Sequence, residues 1–224
     1  MKHSTGKANT LAILAFASVL IALALPVLSR QREQANRARC LDNLHSIWQA
    51  MRVYAYDSHG WLPAMSQLER NGTRGPGEIG FNRHANLLLG LGYTTDPSIF
   101  VCPSDKEDGD PSKPLGDDGS TGHARVRVRK PPLDWYNISY FYVAGFTLAD
   151  RGDFLLLADE HWDSEGDCPA DCRHDLDQFD NHGKSGRNVL YLDGHGEWLN
   201  GPQIDPAYES IRKYGANFRT RTVD

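Results

Sequence analysis

LAILAFASVLIALALPVLSRQREQANRARCLDNLHSIWQAMRVYAYDSHG, Leu11 to Gly60, decides the architecture, because it changes character midway while keeping a helical pattern. Its first eighteen residues, Leu11 to Leu28, are interrupted only by Ser18 and Pro26. As a helix that stretch spans about 27 Å, close to the roughly 30 Å hydrocarbon core of a bilayer. No polar face marks it as an ordinary core helix. Lys2 and Lys7 precede it with no acidic residue, as in the basic region of an export signal. Arg30, Arg32, Arg37 and Arg39 follow it, so the positive-inside tendency taken alone points the other way. Three fates fit: a retained anchor, a signal peptide cut after Ala22-Leu23-Ala24, or a stem cut just before the apolar run.

Beyond the apolar run the pattern continues without an internal Gly or Pro to Asp57. Leu41, Leu44, Trp48, Met51 and Ala55 recur at spacings of three and four, which places them on one face that something must cover. Arg and Gln dominate the turns before Cys40, which are expected to be solvated or packed against other subunits. Gly60 suits a C-terminal cap and Pro63 prevents easy continuation. From Thr10 to Asp57 the helix would run about 72 Å, with Pro26 removing one N–H donor within it.

The rest of the chain reads as a small globular head. At 224 residues, 40% hydrophobic and 24% charged, there is room for one real core and an appendage. A net charge of -5 offers no overall basic surface, and nucleic acid is not an expected partner. NLLLGLGY (86–93) reads as a helix or turn, because GLG alone is no phosphate loop. The acidic stretch 104–122 reads as a solvated loop, lacking the spacing and terminal Glu of a calcium loop. RVRVRK (125–130) alternates charge and valine as an exposed edge strand would. Strands are expected within 137–146, 153–160 and 187–194, with ADRGD turning the first two into an antiparallel hairpin.

Four cysteines, Cys40, Cys102, Cys168 and Cys172, allow three full pairings, and an exported chain would oxidise suitable pairs. Cys168 with Cys172 would close a tight loop across CPADC. Cys40 with Cys102 would tie the stem helix to the following domain. Spacing alone does not choose among them.

An export segment, a very long amphipathic stem and a strand-rich head is the plan of type IV pilins and type II secretion pseudopilins. SRQREQANRARCLDNLHSIWQAMRVYAYDSHGWLP, IFVCPSD, LLLADEHW and NHGKSGRNVLYLDGHGEW resemble, in that order, one branch of prepilin-like proteins. That branch carries a C-terminal motif of His, nine residues, then Asp-Gly; here ten residues separate His182 from Asp193-Gly194. The resemblance covers about two thirds of the chain. It implies an α+β, pilin-like fold, in which a long N-terminal helix packs on a small antiparallel β-sheet head. The implied divisions are a cytoplasmic leader-like segment (1–9), a transmembrane or export helix (10–28), a stem continuing into the head (29–59) and the head (60–224).

The implied function is a pseudopilin-like or minor-pilin-like structural subunit, not an enzyme, working by packing. Its partners would be other pilin-like subunits, their assembly machinery and the bilayer. The implied location is the bacterial inner membrane, with one crossing and the head in the periplasm or at the cell surface. Prepilin-type processing would fall between Ala8 and Asn9, yet KANTLAI lacks the usual Gly before the cut, and Ile13 occupies the place of the glutamate at mature position five. In a filament that carboxylate neutralises a neighbouring N-terminal amine inside an apolar bundle. Its loss points to a minor or tip subunit, or to an anchored protein that does not polymerise.

Asp159, Glu160, His161, His182, Asp193 and His195 form the head's best chemical cluster. With paired strands, Asp159 and Asp193 are both expected at strand ends, with His182 approaching from a loop. Asp159, His161, His182, Asp193 and His195 are thus candidate ligands for a divalent metal of unassigned identity, the sole cofactor considered. The alternative function is an exported, anchored metal-binding or hydrolytic domain. CPADCRH would offer zinc only Cys168, Cys172 and His174. No nucleophile motif surrounds Ser185, and no catalytic residue is assigned. The preferred reading is structural: Asp193-Gly194 makes a turn, Trp198 returns across the surface of Val189 and Tyr191, and His182 hydrogen-bonds that turn.

Overall fold

The structure is a computed structural model that describes residues 4–64, 81–104, 132–133, 138–159, 181–204 and 206–207. The chain divides into two compact units, Met1–Asn36 and Arg37–Asp224. Helix α1, Ser4–Asp57, contributes to both and contains Pro26.

In the first unit, apolar side chains including Ile13, Phe16, Val19 and Leu25 are exposed. The polar groups among them are satisfied locally. Ser18 Oγ donates to Ala15 O at 2.8 Å and Ser29 Oγ to Pro26 O at 3.0 Å. Such back-bonding lets a hydroxyl sit in an apolar environment without an orphaned donor. Among the described residues, one helix is long and apolar enough to cross a membrane, and none of its most apolar window is buried.

The second unit is an α+β domain. The face expected to be covered is covered: Leu44, Trp48, Met51 and Ala55 are buried, joined by Cys40, Ile47 and Tyr54. The helix stops as Gly60 N–H donates to Ala55 O at 2.8 Å. Gly60 has positive φ, but so does His59 at 57°, so the left-handed turn begins one residue earlier than the glycine signal indicates. The chain then pairs Trp61 with Thr147 in an isolated antiparallel bridge. NLLLGLGY falls at the end of helix α2, Phe81–Gly90, and a 3₁₀ turn follows at Pro97–Phe100.

Strands β1 (Phe141–Tyr142), β2 (Leu155–Ala158), β3 (Arg187–Tyr191) and β4 (Gly196–Leu199) form a sheet in the order β1-β2-β3-β4, each pair antiparallel. The expected β1–β2 hairpin is present, with shorter strands than the apolar runs suggest. Beyond Tyr142 only Val143 continues the ladder, its N–H donating to Leu156 O at 2.9 Å, before Gly145 turns away with φ of 97°. β2 is buried along its whole length, as its LLLA sequence requires.

The β3–β4 turn is built as Asp193-Gly194 suggests. Gly194 has φ of +89°, its N–H donates to Tyr191 O, and Asp193 Oδ1 accepts from His195 N–H at 2.9 Å. Gly194 has a second reason to be glycine: a Cβ there would collide with the Trp48 indole of α1. One expectation is corrected. Asn188 pairs with Trp198 and Val189 with Glu197, so Trp198 lies on the face opposite Val189 and Tyr191. Successive strand residues alternate faces, and the turn's length sets the register one step from that assumed. Glu197 takes the place beside Tyr191, accepting from its hydroxyl at 2.7 Å.

Candidate functional site

Three segments that are distant in sequence converge where α1 enters the head. Cys40 on α1 is bonded to Cys102, just after the 3₁₀ turn, with Cα atoms 5.2 Å apart. Asn43, one helical turn on, donates to Val101 O at 3.1 Å and to the Tyr140 hydroxyl at 3.0 Å. The helix is thereby tied to the segments on both sides. Cys168 and Cys172 lie outside the described residues.

Asp159 follows β2 and continues its ladder, its N–H donating to Asn188 O at 2.9 Å. This backbone bond holds the carboxylate inside. Its Oδ2 accepts from Asn188 Nδ2 at 2.7 Å and faces His182 Nε2 at 3.0 Å, with both the His182 and Asp159 side chains at 0% exposure. Burial pushes the Asp159 carboxyl above its usual range, and the bonds from His182 and Asn188 only partly oppose that shift. Its Oδ1 is buried and has no hydrogen-bond partner among the described residues. The same His182 nitrogen lies 3.6 Å from Cys102 Sγ. The Trp198 ring meets the imidazole edge-on at 5.4 Å, and the Arg37 guanidinium lies 4.0 Å over the indole.

Asn188 completes the cluster, donating from Nδ2 to Arg37 O of α1 at 3.0 Å as well as to Asp159. One amide therefore joins helix, sheet and carboxylate. Asn181 belongs to the same buried polar layer, donating to Ser139 O at 2.7 Å. Arg187, at the start of β3, is 1% exposed. Sequence reasoning missed Asn181, Asn188 and Arg187. Asn is disfavoured inside strands, so Asn188 amid RNVLY was the available signal.

The proposed five-ligand cluster is not assembled. Asp159 and His182 meet, whereas Asp193 and His195 lie at the other end of the sheet, and His161 is outside the described residues. The cause is topological. Asp159 ends β2 and Asp193 lies just past β3, and in an antiparallel pair those ends point in opposite directions. Asp193 N–H instead bonds Gly152 O, in the turn that precedes β2. His182 accordingly does not bond the Asp193-Gly194 turn. His195 is exposed, stacks on Tyr191 with ring centroids 4.6 Å apart, and keeps Nδ1 3.7 Å from Asp193 Oδ1. These two residues make turn contacts and no enclosed site.

A hydrolytic centre requires an approach for substrate and an activated nucleophile. The Asp159–His182 pair faces a disulfide, an indole and an asparagine, with no solvent exposure of its own side chains. Its contacts join α1, β2, β3 and the segment after the 3₁₀ turn in one buried polar centre. No protein-family model, curated protein or solved structure matches the chain.

Proposed function

We propose that this chain is a pseudopilin-like or minor-pilin-like structural subunit of a type II secretion or type IV pilus-like assembly, acting by subunit packing and not by catalysis. The observation that carries the reading is the two-sided life of α1. Its later turns are buried in the head, while Ile13, Leu14, Phe16, Val19, Leu20 and Ile21 remain exposed. Leaving such a side chain in water forgoes about 1.5–3 kcal/mol each, so lipid or neighbouring stems must cover them. The resemblance of the stem and C-terminal segments to prepilin-like proteins supports neighbouring stems as part of that cover.

In this reading the apolar half of α1 partitions between the inner membrane and a bundle of related helices. The head, outside the cytoplasm, sets contacts with its neighbours. Ile13 in the glutamate position means that the chain brings no carboxylate to neutralise an adjacent amine, which suits a minor or terminal position.

Photo-crosslinking groups at Phe16 and Leu20 in the full chain test this within its native membrane. The expected products join this chain to other pilin-like subunits. Crosslinks to lipid alone, or a mature soluble monomer lacking residues 1–24, would overturn the reading. Mass determination of the mature N-terminus separates prepilin-type cleavage after Ala8 from cleavage after Ala24 and from retention.

A further inference from the structure

Around the disulfide, metal-binding side chains from three separate parts of the chain meet, and a fourth, Asp159, adjoins one of them through His182. Donor atoms of Cys40, Cys102 and His182 lie within 4.8 Å of one another, and all three residues are buried. His182 Nε2 is 3.6 Å from Cys102 Sγ and 3.0 Å from Asp159 Oδ2. In tetrahedral zinc sites, Zn–S of about 2.3 Å and Zn–N or Zn–O of about 2.0–2.2 Å put sulfur and nitrogen about 3.6 Å apart, and nitrogen and oxygen about 3.4 Å apart. The imidazole already stands at the first spacing from Cys102, and its direct contact with Asp159 is shorter than the second, so the carboxylate must move outward to share a metal.

A second, independent observation points to a cation. Asp159 is fully enclosed, and its Oδ1 has no hydrogen-bond partner among the described residues. A buried carboxylate with an open acceptor is costly, and a coordinated dication offsets that cost. Asn188 Nδ2, 2.7 Å from Oδ2, already orients the carboxylate, as outer-shell partners of metal ligands do.

We propose that, when the Cys40–Cys102 bond is reduced, Cys40, Cys102, His182 and Asp159 form a closed zinc site. The disulfide and the metal would then be alternative staples between α1 and the head. A dithiol donor supplies the two electrons and two protons that convert the disulfide into two thiols, and is itself oxidised to a disulfide. Zinc then displaces both thiol protons to solvent. The resulting thiolates, the Nε2 lone pair of neutral His182 and the Asp159 carboxylate complete four-coordination. Two thiolates and an imidazole select zinc over calcium or magnesium. This site does not depend on the pilin-like reading.

The test uses the full chain in detergent with Cys168→Ser and Cys172→Ser, which leaves Cys40 and Cys102 as its thiols. After phosphine reduction and removal of the phosphine, cobalt(II) is added and then displaced by zinc(II). One equivalent of cobalt is expected, with thiolate charge-transfer and tetrahedral ligand-field bands, and zinc should protect both cysteines from alkylation. The oxidised chain should bind zinc at least 100-fold more weakly, and reduced His182→Ala or Asp159→Asn at least 10-fold more weakly. If reduction unfolds the head, zinc should restore its near-ultraviolet circular dichroism. Failure to restore it, substoichiometric binding, or equal binding by the oxidised chain or by both ligand variants would overturn the proposal.

Discussion

Leu20 and Leu44 belong to the same helix, have the same side chain and sit in opposite surroundings: Leu20 is 52% exposed and Leu44 is 0% exposed. Around Leu44 the chain supplies its own cover, because Leu44 belongs to the buried core of the second unit. Around Leu20 the described residues leave half of the side chain open. The difference teaches that helix propensity and apolar content do not distinguish a core from an external contact surface. What distinguishes them is whether more distant sequence folds back to bury the face. The first unit leaves its apolar side chains exposed, while the second closes around a few long-range ties at a buried polar centre.

The largest effect should come from cutting the tie between α1 and the head. Cys102→Ser opens a link between residues separated by 62 positions and should lower the stability of the second unit by about 4 kcal/mol. Urea unfolding of the detergent-solubilised chain, followed by tryptophan fluorescence, measures it. The contrasting change, Leu20→Arg, should cost about 3 kcal/mol in membrane insertion and leave the head's unfolding midpoint unchanged. Alkaline extraction of membranes together with the same urea experiment reads both halves. If Leu20→Arg also unfolded the head, the separation drawn between the units would fail.

Within the head, Asp159→Ala should cost about 3 kcal/mol by leaving His182 and Asn188 without their buried acceptor. Asp159→Asn, which keeps the volume and one acceptor oxygen, should cost less, and thermal unfolding of the two variants side by side resolves the difference. Gly194→Ala should cost about 2 kcal/mol, from positive φ and from contact with Trp48. A paired Trp48→Ala variant should relieve part of that penalty in a double-mutant cycle. The smallest effect is expected at the sheet's other end. His195→Ala, exposed and stacked only on Tyr191, should stay within about 0.5 kcal/mol of the parent.

Much of the architecture was legible because it is written in local patterns. The apolar run, the three-and-four spacing from Leu41 to Ala55, and the Asp193-Gly194 turn each declare themselves within a few residues. The polar centre was only half legible. Asp159 and His182 stand out as chemical residues, whereas the burial of Asn188 and Arg187 depends on what packs against β3. Asp159 and Asp193 both lie at strand ends, but the antiparallel β2–β3 pair sets those two ends apart.

By itself the sequence determined a membrane-compatible helix, its amphipathic continuation, a strand-rich head of α+β character and the turn that closes the last hairpin. These depend on side-chain periodicity and on backbone preferences at single residues. Only the tertiary structure decided that Cys40 meets Cys102, that His182 turns to Asp159 and not to Asp193, and that Trp198 crosses to the His182 face. Those outcomes follow from strand direction, from a register in which one step exchanges faces, and from the docking of α1 against segments far away in the chain. No local pattern encodes them, because each depends on which distant surface becomes the neighbour.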